Sequence, residues 1–386
     1  AAAFELAAAG RDVVVATPTA SGKSLVYHLA ALQAIHEDPQ ARALYLFPTK
    51  ALAHDQVVGL DALARAAGVA VGAHAYDGDT PADARRAIRA GARIVVTNPD
   101  MLHMGILPHH DRWAGLFGGL THVVIDEAHV YRGVFGSHVA NVIRRLKRVC
   151  AWHGARPQFI LSSATIANPA EHASALVERD VVAVCDSGAP QGARSFRVYN
   201  PPLVDGTTGV RQSYVKAARQ VTRRLAKAGV PTIVFCNSRL SVERLTRHLK
   251  EDVAADGGDP QTVEGYRGGY LPQRRRAIEA GLRSGAIRVV VTTNALELGV
   301  DIGQLAACVL AGYPGSIAST LQRAGRAGRR DDAASVVLVA RSEPVDQYLA
   351  RHPEWFHAQN PERARLLADH LLIVAEHIKC AAFELP

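Results

Sequence analysis

One turn between a strand and a helix constrains this chain more than any other feature. Residues 12–17 are a short apolar run rich in β-branched side chains, which predicts a buried parallel strand. The run leads through small residues to Gly22, Lys23 and Ser24, and an apolar stretch that predicts a helix follows. Backbone N–H groups at such a helix start point at an anion. The turn is therefore predicted to hold phosphates, and the fold to be α/β.

The turn departs from the usual phosphate-binding loop at its first position, where Thr17 stands instead of glycine. Lys23 is predicted to reach the β- and γ-phosphates of ATP, and the Ser24 hydroxyl to bind Mg²⁺. A chance turn before a helix is the alternative. The residues predicted to surround the nucleotide phosphates are Thr17, Thr19, Ala20, Ser21, Gly22, Lys23 and Ser24.

Two adjacent acids follow a second apolar run, at residues 121–126. A carboxylate at the carboxyl end of a buried strand lies where α/β sheets bind ligands. Asp126 is predicted to hold Mg²⁺ through water, and Glu127 to orient and deprotonate the attacking water. A solvated turn is the alternative, and the phosphate turn upstream argues against it. His129 is interpreted as a link across an interdomain cleft, although a lone histidine is more often an ordinary hydrogen-bond partner.

A basic, glycine-rich stretch at residues 322–330 is the third feature of this kind. Arg326 and Arg329 lie on one face of a helical turn, and arginine binds phosphate oxygens in a forked geometry. With Gln322, they are predicted to act catalytically by stabilising charge that develops on the γ-phosphate. A nucleic-acid or solvent-facing patch is the alternative.

Length and composition limit the class of protein. A chain of 386 residues predicts two domains, and 48% hydrophobic with 21% charged residues is typical of a globular protein. No apolar run approaches the length of a membrane span and no secretory leader is present, so we expect a cytoplasmic bacterial protein without membrane contact. The net charge of +8 suits a polyanionic partner. The five cysteines lack metal-site spacing, so we expect no zinc.

Apolar runs alternate with helical patterns, which predicts two doubly wound parallel sheets. The predicted domains are residues 1–200, residues 201–341, and the beginning of a helical segment at residues 342–386, with a linker at 200–209. The basic residues that follow the acid pair, Arg144 to Arg148, are interpreted as a solvated helix face. The predicted strands are 43–48, 93–97, 121–126 and 158–162 in the first half, and 231–236, 287–293, 306–311 and 335–340 in the second.

Over residues 11–341 these stretches resemble the ordered motifs of superfamily 2 helicases. Further matches are residues 47–52, 97–100, 163–165, 233–239 and 292–301. The resemblance implies two tandem RecA-like domains, coupling of hydrolysis to movement by His129, Ser163 and Thr165, and a nucleotide contact by Asp301.

Residues 126–136, 266–270 and 294–299 resemble more narrowly the bacterial and fungal DNA helicases of crosslink and mitomycin repair. Those are RecQ-related 3′-to-5′ translocases with a zinc-binding C-terminal region, which this chain stops short of. The resemblance implies a monomer acting on single-stranded and forked DNA. Adenine recognition stays unassigned, because the segment upstream of Ala1 that carries it in such helicases is missing.

Small polar residues end or follow strands on the side where ligands bind. Hydroxyls, amides and helix N-termini there can bind DNA phosphates without reading bases. Ordinary helix capping, or a tight turn at Arg267, is the alternative for any one of them. The predicted DNA contacts are Pro48, Thr49, Lys50, Thr97, Asn98, Asn237, Ser238, Arg267, Gly268, Thr292 and Thr293.

An ATP-driven DNA helicase is the leading interpretation. An RNA helicase, or a duplex translocase that does not separate strands, is compatible with the same motifs. A nucleotide-gated clamp with little turnover is a third hypothesis, and the intact set of Lys23, Asp126, Glu127, Arg326 and Arg329 argues against it.

Overall fold

The computed structural model describes residues 1–18, 21–189, 192–299, 302–303, 305–328 and 334–385. The chain divides into two compact units. One comprises Ala1–Thr17, Gly22–Ser187 and Arg363–Pro386, and the other comprises Pro18–Ser21 and Gly188–Glu362. The chain therefore leaves the first unit after Ser187 and returns to it at Arg363.

The first unit is built on a parallel sheet of seven described strands. Their order across the sheet is β3-β4-β2-β5-β6-β1-β7. Every pairing in it is parallel. The strands are β1 (Val13–Ala16), β2 (Arg42–Leu46), β3 (Ala73–Ala75), β4 (Ile94–Thr97), β5 (Leu120–Ile125), β6 (Gln158–Ser163) and β7 (Val182–Val184).

Helices cover both faces of this sheet, because its central strands are apolar along their whole length and must be buried on both sides. They are α1 (Ala2–Ala8), α2 (Lys23–Glu37), α3 (Lys50–Ala66), α4 (Ala82–Gly91), α5 (Pro99–Met101), α6 (Ala114–Gly118), α7 (Gly133–Trp152) and α8 (Pro169–Val177). A π-helix at Leu102–Ile106 and 3₁₀ helices at Leu107–Trp113 and Ala128–Val130 lie between them.

The second unit repeats the parallel arrangement with six described strands in the order β12-β13-β11-β14-β15-β8, beside a separate antiparallel hairpin of β9 and β10. The strands are β8 (Arg194–Tyr199), β9 (Leu203–Asp205), β10 (Val210–Arg211), β11 (Thr232–Phe235), β12 (Val263–Tyr266), β13 (Val289–Thr292), β14 (Ala307–Ala311) and β15 (Ala334–Val339). The helices are α9 (Tyr214–Lys227), α10 (Arg239–Ala255), α11 (Pro272–Ser284), α12 (Ile317–Ala324), α13 (Pro344–Arg351) and α14 (Trp355–Ala358), with 3₁₀ turns at Pro260–Thr262 and Asn294–Leu296.

A last helix, α15 (Leu371–Glu384), belongs to the first unit. Hydrophobic layers lie on the two faces of the first sheet. One contains Tyr27 and Leu60 from α2 and α3, and the other contains Ile143 and Leu176 from α7 and α8. Among the described residues, no helix is both long and apolar enough to cross a membrane.

The predicted fold class is confirmed, and each predicted strand coincides with an observed one to within two residues at either end. The predicted division of the chain differs at three places, one of which is residues 342–386: they are shared between the two units and do not begin a third domain. Strand β8 precedes residue 200 yet pairs with β15, so the second unit begins earlier. Residues 200–209 are not the linker, because they contain β9 and lead into β10 within the second unit.

The basic face predicted on α7 is also wrong at one position. Arg145 is buried and forms an ion pair with the buried Glu384 of α15. His103 Nδ1 accepts a hydrogen bond from Arg145 at 2.7 Å, and His377 of α15 lies beside the same guanidinium. His138 contacts His377 at 3.2 Å between ring nitrogens. These five residues join α15 to α7, so the end of the chain is integral to the first unit.

Burial and the neighbouring Arg145, His103 and His138 lower the pKa of His377 from 6.5 to about 4. Between these two values the unfolded chain binds a proton that the folded chain does not, so the free energy of unfolding falls as the pH drops through this window. Thermal unfolding measured from neutral pH to pH 4 is expected to show this loss. His377→Gln should flatten the pH dependence, and an unchanged dependence would contradict the burial of a neutral histidine.

Candidate functional site

The phosphate turn has the geometry that anion binding requires. Gly22 precedes α2 with φ +79°, and no side chain caps the helix at this position. Lys23 is the first helical residue, and its Nζ donates to the carbonyl of Thr17 at 2.8 Å. Ser24 follows in the first turn and hydrogen-bonds Tyr27. The helix start therefore offers backbone N–H groups next to an ammonium and a hydroxyl. Thr19 and Ala20 lie outside the described residues, and Ser21 adjoins Gly22.

The acid pair lies at the carboxyl end of β5, as predicted. The Asp126 N–H donates to Leu46 O at 2.9 Å, and its carboxylate accepts a hydrogen bond from Ser162 Oγ. Burial, with the charge of Glu127, raises the pKa of Asp126 to about 7, whereas Ser162 and the Lys23 charge lower it. Few partners therefore stabilise the ionised form of the Asp126 carboxyl group.

Glu127 has a backbone conformation that non-glycine residues rarely adopt. Its φ is +51° and its side chain is buried. A left-handed conformation of this kind costs on the order of 1–3 kcal/mol and is found mainly at functional sites. The Glu127 N–H lies 3.4 Å from Ser162 Oγ, so the same hydroxyl contacts both acids. The backbone strain and the burial together place two carboxylates within one small region.

His129 joins the acid pair to the end of β6. Its Nδ1 accepts a hydrogen bond from the Ala164 N–H at 3.1 Å and lies 3.5 Å from Glu127 Oε2. Ser163 Oγ donates to the Ala164 carbonyl at 2.8 Å, and Thr165 is exposed. Of the three residues predicted to couple hydrolysis to movement, His129 therefore contacts the acid pair directly, and it also contacts the segment that contains Ser163 and Thr165. A link from His129 to the second unit stays a prediction.

Four of the predicted DNA contacts are helix N-caps at strand ends. The side-chain oxygens of Thr49, Asn98, Ser238 and Thr293 accept from Leu52, Met101, Ser241 and Ala295 N–H groups, respectively. The alternative of helix capping therefore holds for each of them. Capping does not remove the helix N-terminus as an anion site, since other N–H groups of the first turn stay unbonded within the helix.

The remaining predicted contacts differ in exposure. Thr97 and Thr292 are fully buried, so neither hydroxyl faces solvent; Thr97 Oγ1 donates to Tyr76 O at 2.7 Å, whereas Thr292 Oγ1 has no hydrogen-bond partner among the described residues. Direct contact of these two residues with DNA stays a prediction. Arg267 donates to Glu243 at 2.6 Å and lies over the ring of Tyr270.

Pro48 and Gly268 are half-buried, whereas Asn237 is exposed and its Nδ2 lies 3.5 Å from the carbonyl of Tyr313. Lys50 Nζ pairs with Asp79 at 2.9 Å.

The arginine stretch is held by a residue that the sequence analysis did not single out. The Glu297 carbonyl accepts from Nε and Nη2 of Arg326 at 3.1 and 2.8 Å, and its carboxylate accepts from Arg323 Nε at 2.9 Å. Ser319 Oγ also donates to that carboxylate, at 2.7 Å. Gln322 and Arg326 are buried. Arg329 and Asp301 lie outside the described residues.

Two residues missed from the sequence, Ser162 and Glu297, orient the predicted ones. A signal for Ser162 existed, because parallel pairing of β5 with β6 aligns Ile125 with Leu161 and so brings Asp126 level with Ser162. Glu297 lies within a stretch matched by resemblance alone, and its partner arginines follow much later in the chain, so nothing local indicated its role.

The acid pair fits a divalent cation. Two buried carboxyls, one with a pKa raised by burial and by the charge of the other, offer the oxygen ligands that Mg²⁺ prefers. Within the described ranges, no group of three or more His, Cys, Asp and Glu side chains could hold a metal ion by itself. Mg²⁺ would therefore need phosphate or water oxygens in addition to Asp126 and Ser24.

Comparison with known families gives two matches. A family model described as DEAD/DEAH box helicase matches residues 1–173, and one described as helicase conserved C-terminal domain matches residues 215–331. The first contains the phosphate turn and the acid pair. The second contains Glu297 and Arg326.

The chain is similar to several known proteins over nearly its whole length. It is 52% identical to the uncharacterized ATP-dependent helicase YprA of Bacillus subtilis, covering 100% of this chain and 51% of the relative. It is 40% identical to the ATP-dependent helicase HRQ1 of Saccharomyces cerevisiae, covering 98% and 36%. The chain thus spans about half the length of the first relative and about a third of the second.

Two solved structures share its fold. The DUF1998 helicase MrfA bound to DNA superposes with a TM-score of 0.95 at 52% identity, over 100% of this chain and 51% of that one. The Mycobacterium smegmatis helicase Lhr bound to ssDNA and AMP-PNP gives 0.82 at 28% identity, over 99% and 50%.

Ser162→Ala is expected to raise the pKa of Asp126 further, because it removes a hydrogen bond to the ionised carboxylate. The acid limb of the kcat/KM profile for ATP hydrolysis, which reports groups of the free enzyme, should move to higher pH. Ser174→Ala, which removes a hydroxyl on α8 that accepts from Val181 N–H, is the matched control. A profile that coincides with the parent's would show that Ser162 does not tune the acid.

Proposed function

Because this chain is a superfamily 2 helicase core, we propose that it hydrolyses ATP to move 3′-to-5′ along single-stranded DNA and to separate forked DNA during repair. The chain covers about half of the length of the first relative and about a third of the second, so this activity is proposed for the protein to which the core belongs. A monomer in the cytoplasm, using ATP and Mg²⁺ and holding no zinc within these residues, is part of the proposal.

One observation supports DNA over RNA as the strand. The match to the DNA-bound helicase MrfA extends over the entire chain at a TM-score of 0.95 and 52% identity. A structure of the yeast protein Dbp5 bound to RNA is only 17% identical and shows the fold alone. The polarity of movement rests on the sequence resemblance to 3′-to-5′ translocases.

The residues of the first unit bind the phosphates of ATP and activate the attacking water. Lys23 binds the β- and γ-phosphates, and the helix start behind it supplies N–H donors. Ser24 and Asp126 would hold Mg²⁺, which would neutralise phosphate charge. Glu127 orients the attacking water and accepts its proton, with its position set by the left-handed backbone and by His129.

Arg326 acts on the charge that develops as the γ-phosphate leaves. Two hydrogen bonds from its guanidinium to the Glu297 carbonyl restrict its direction. Restricting an arginine before reaction lowers the entropy lost in the transition state. Gln322 and Arg329 stay assigned to the same role, and Asp301 to the nucleotide, on the sequence pattern.

DNA contact is assigned to the capped helix starts and to Lys50 and Arg267. Such groups recognise phosphates and not bases, so binding without sequence preference is expected. The two main alternatives, an RNA helicase and a duplex translocase, predict different substrates. Unwinding assays with 3′-tailed DNA, 5′-tailed DNA and tailed RNA distinguish them, and the proposal requires unwinding of 3′-tailed DNA alone.

ATP turnover is expected to rise when single-stranded DNA is added, because both units carry helix starts of the kind that bind strand phosphates. Affinity for the strand should fall steeply with salt, as phosphate contacts release counterions. Steady-state ATPase rates at low salt, with and without DNA, measure this. Equal rates would count against a translocase and favour an enzyme that does not couple hydrolysis to DNA.

Arg326→Ala is expected to leave ATP affinity within severalfold of the parent while kcat falls by about 10³ or more, since arginines in this role act in the transition state. Lys23→Ala should weaken ATP binding and turnover together. Arg351→Ala, an exposed arginine in the last turn of α13, is the control and should match the parent. Near-normal turnover of Arg326→Ala would remove the second unit from the catalytic account.

A further inference from the structure

The chain returns to the first unit through residues 363–369, which contain neither helix nor strand and which we term the return segment. Several backbone groups of the return segment form hydrogen bonds with residues at the start of α7. The Arg365 carbonyl accepts from Gly133 N–H at 2.7 Å, Leu367 N–H donates to Ser137 Oγ at 2.8 Å, and Asn141 Nδ2 donates to the Ala368 carbonyl at 2.8 Å. These bonds join the return segment to the start of α7.

Asn168, the residue before α8, forms two further hydrogen bonds with the return segment. Its Oδ1 accepts from Ala364 N–H at 2.8 Å, and its Nδ2 donates to the Ala364 carbonyl at 2.9 Å. Both residues are buried. Loss of the amide would leave a buried N–H and a buried carbonyl without partners, and each unpaired group would be destabilising.

The use of this side chain is unusual for its position. Asn168 is the residue before α8, where asparagine ordinarily caps the helix with its own oxygen. Here no side chain caps α8, and both polar atoms of the amide bond the return segment. The amide therefore does not stabilise the start of α8 and instead contacts a residue almost 200 positions later in the chain.

The two anchors flank the catalytic segments. Gly133 begins α7 shortly after His129, and Asn168 lies shortly after Thr165. Consecutive residues of the return segment, Ala364 and Arg365, bind these two anchors. On the catalytic side, the His129–Ala164 bond joins the same two segments.

A third connection runs between them, because His172 of α8 donates from Nε2 to the Ala128 carbonyl at 3.0 Å. The segment with the acid pair and the segment that ends β6 are therefore connected directly, by the His129–Ala164 and His172–Ala128 bonds, and also through the return segment.

We propose that Asn168 is a positioning residue for ATP hydrolysis, which acts through the return segment to fix the distance between the acid-pair segment and the end of β6. It touches neither nucleotide nor metal in this account. The proposal rests on the proposed function, since it concerns the rate of ATP hydrolysis.

The far end of the return segment is held firmly enough for this role. Helix α15 follows it directly, and the buried Arg145–Glu384 ion pair fixes that helix to α7. Separating a buried ion pair leaves buried charges without partners, so α15 detaches only at a large cost in free energy. The return segment therefore cannot follow a local movement of α8 without breaking these contacts.

Asn168→Asp tests the proposal with a variant that can be rescued. The ionised carboxylate accepts from Ala364 N–H but faces the Ala364 carbonyl without a proton to donate. When protonated, the carboxyl presents one donor and one acceptor, as the amide does. Burial raises the pKa of such a group, so rescue should begin at mildly acidic pH.

The expected result is a kcat about tenfold below the parent's at pH 8, within what a small misplacement of catalytic groups costs, at an affinity for a fluorescent ATP analogue within twofold. The ratio of variant to parent kcat should rise as the pH falls from about 8 to about 6. Asn168→Ala should show the lower kcat without that recovery.

Arg363→Ala is the matched control on the same segment, because it breaks only an exposed ion pair with Glu171, which contributes little. Its kcat should stay within twofold of the parent's. Should the Asn168 variants fail to fold, Ser137→Ala removes the acceptor of Leu367 N–H and is expected to lower kcat severalfold at unchanged ATP affinity.

A parent kcat in Asn168→Asp, a variant-to-parent ratio independent of pH, or an equal loss of ATP affinity and kcat would each overturn the proposal. If Ser137→Ala is the variant that folds, a parent kcat in it does the same. These results leave the proposed function intact as long as the parent chain hydrolyses ATP with single-stranded DNA. A parent chain that does not hydrolyse ATP overturns the proposed function first, and this proposal with it.

Discussion

Burial of two adjacent carboxyl groups is the constraint on which the first unit depends. Asp126 and Glu127 are each less than a tenth exposed, and taking charged groups out of water is costly unless they gain partners. Ser162 Oγ bonds Asp126 and lies near the Glu127 N–H, and the charge of Lys23 lowers the pKa of Asp126. The partners compensate only in part, since the pKa of Asp126 stays near 7. Because the negative charge of the acid pair is only partly compensated, the site can accept a divalent cation together with a nucleotide.

Strand register converts this local requirement into a longer-range one. Parallel pairing of β5 and β6 brings Asp126 level with Ser162, and the chain beyond each strand continues to the His129–Ala164 bond. The return segment then joins the same two stretches from outside, through Gly133 and Asn168. Hydrogen bonds therefore connect the segments beside the acid pair to the return segment that leads into α15.

In the second unit, Glu297 likewise positions residues that are distant in sequence. Glu297 bonds Arg323 through its carboxylate and Arg326 through its carbonyl, so a single short segment orders two arginines. The backbone contribution survives any substitution of Glu297, whereas the side-chain contribution does not. Arg323 also lies over the ring of Phe235, which anchors the motif to β11.

Local patterns predicted what depends on neighbours in sequence. The apolar run before Lys23 and the one before Asp126 indicated central strands and therefore the site at their ends. Strand β8 escaped notice because it lies at the sheet edge and alternates exposed residues such as Arg194 with half-buried ones. The burial of Arg145 could not be predicted either, because its partner Glu384 lies 239 residues further along the chain. Asn168 has the sequence of an ordinary cap, and only the tertiary structure shows its amide bonded elsewhere.

The central claim is that the buried acid pair catalyses ATP hydrolysis, and single-turnover kinetics of Glu127→Gln test it most directly. The substitution keeps the size of the side chain and removes its ability to accept a proton from water. With Mg²⁺, single-stranded DNA and enzyme in excess over ATP, the account predicts bound ATP that is hydrolysed at least about a hundredfold more slowly than by the parent. Hydrolysis at the parent rate in the same experiment would contradict it.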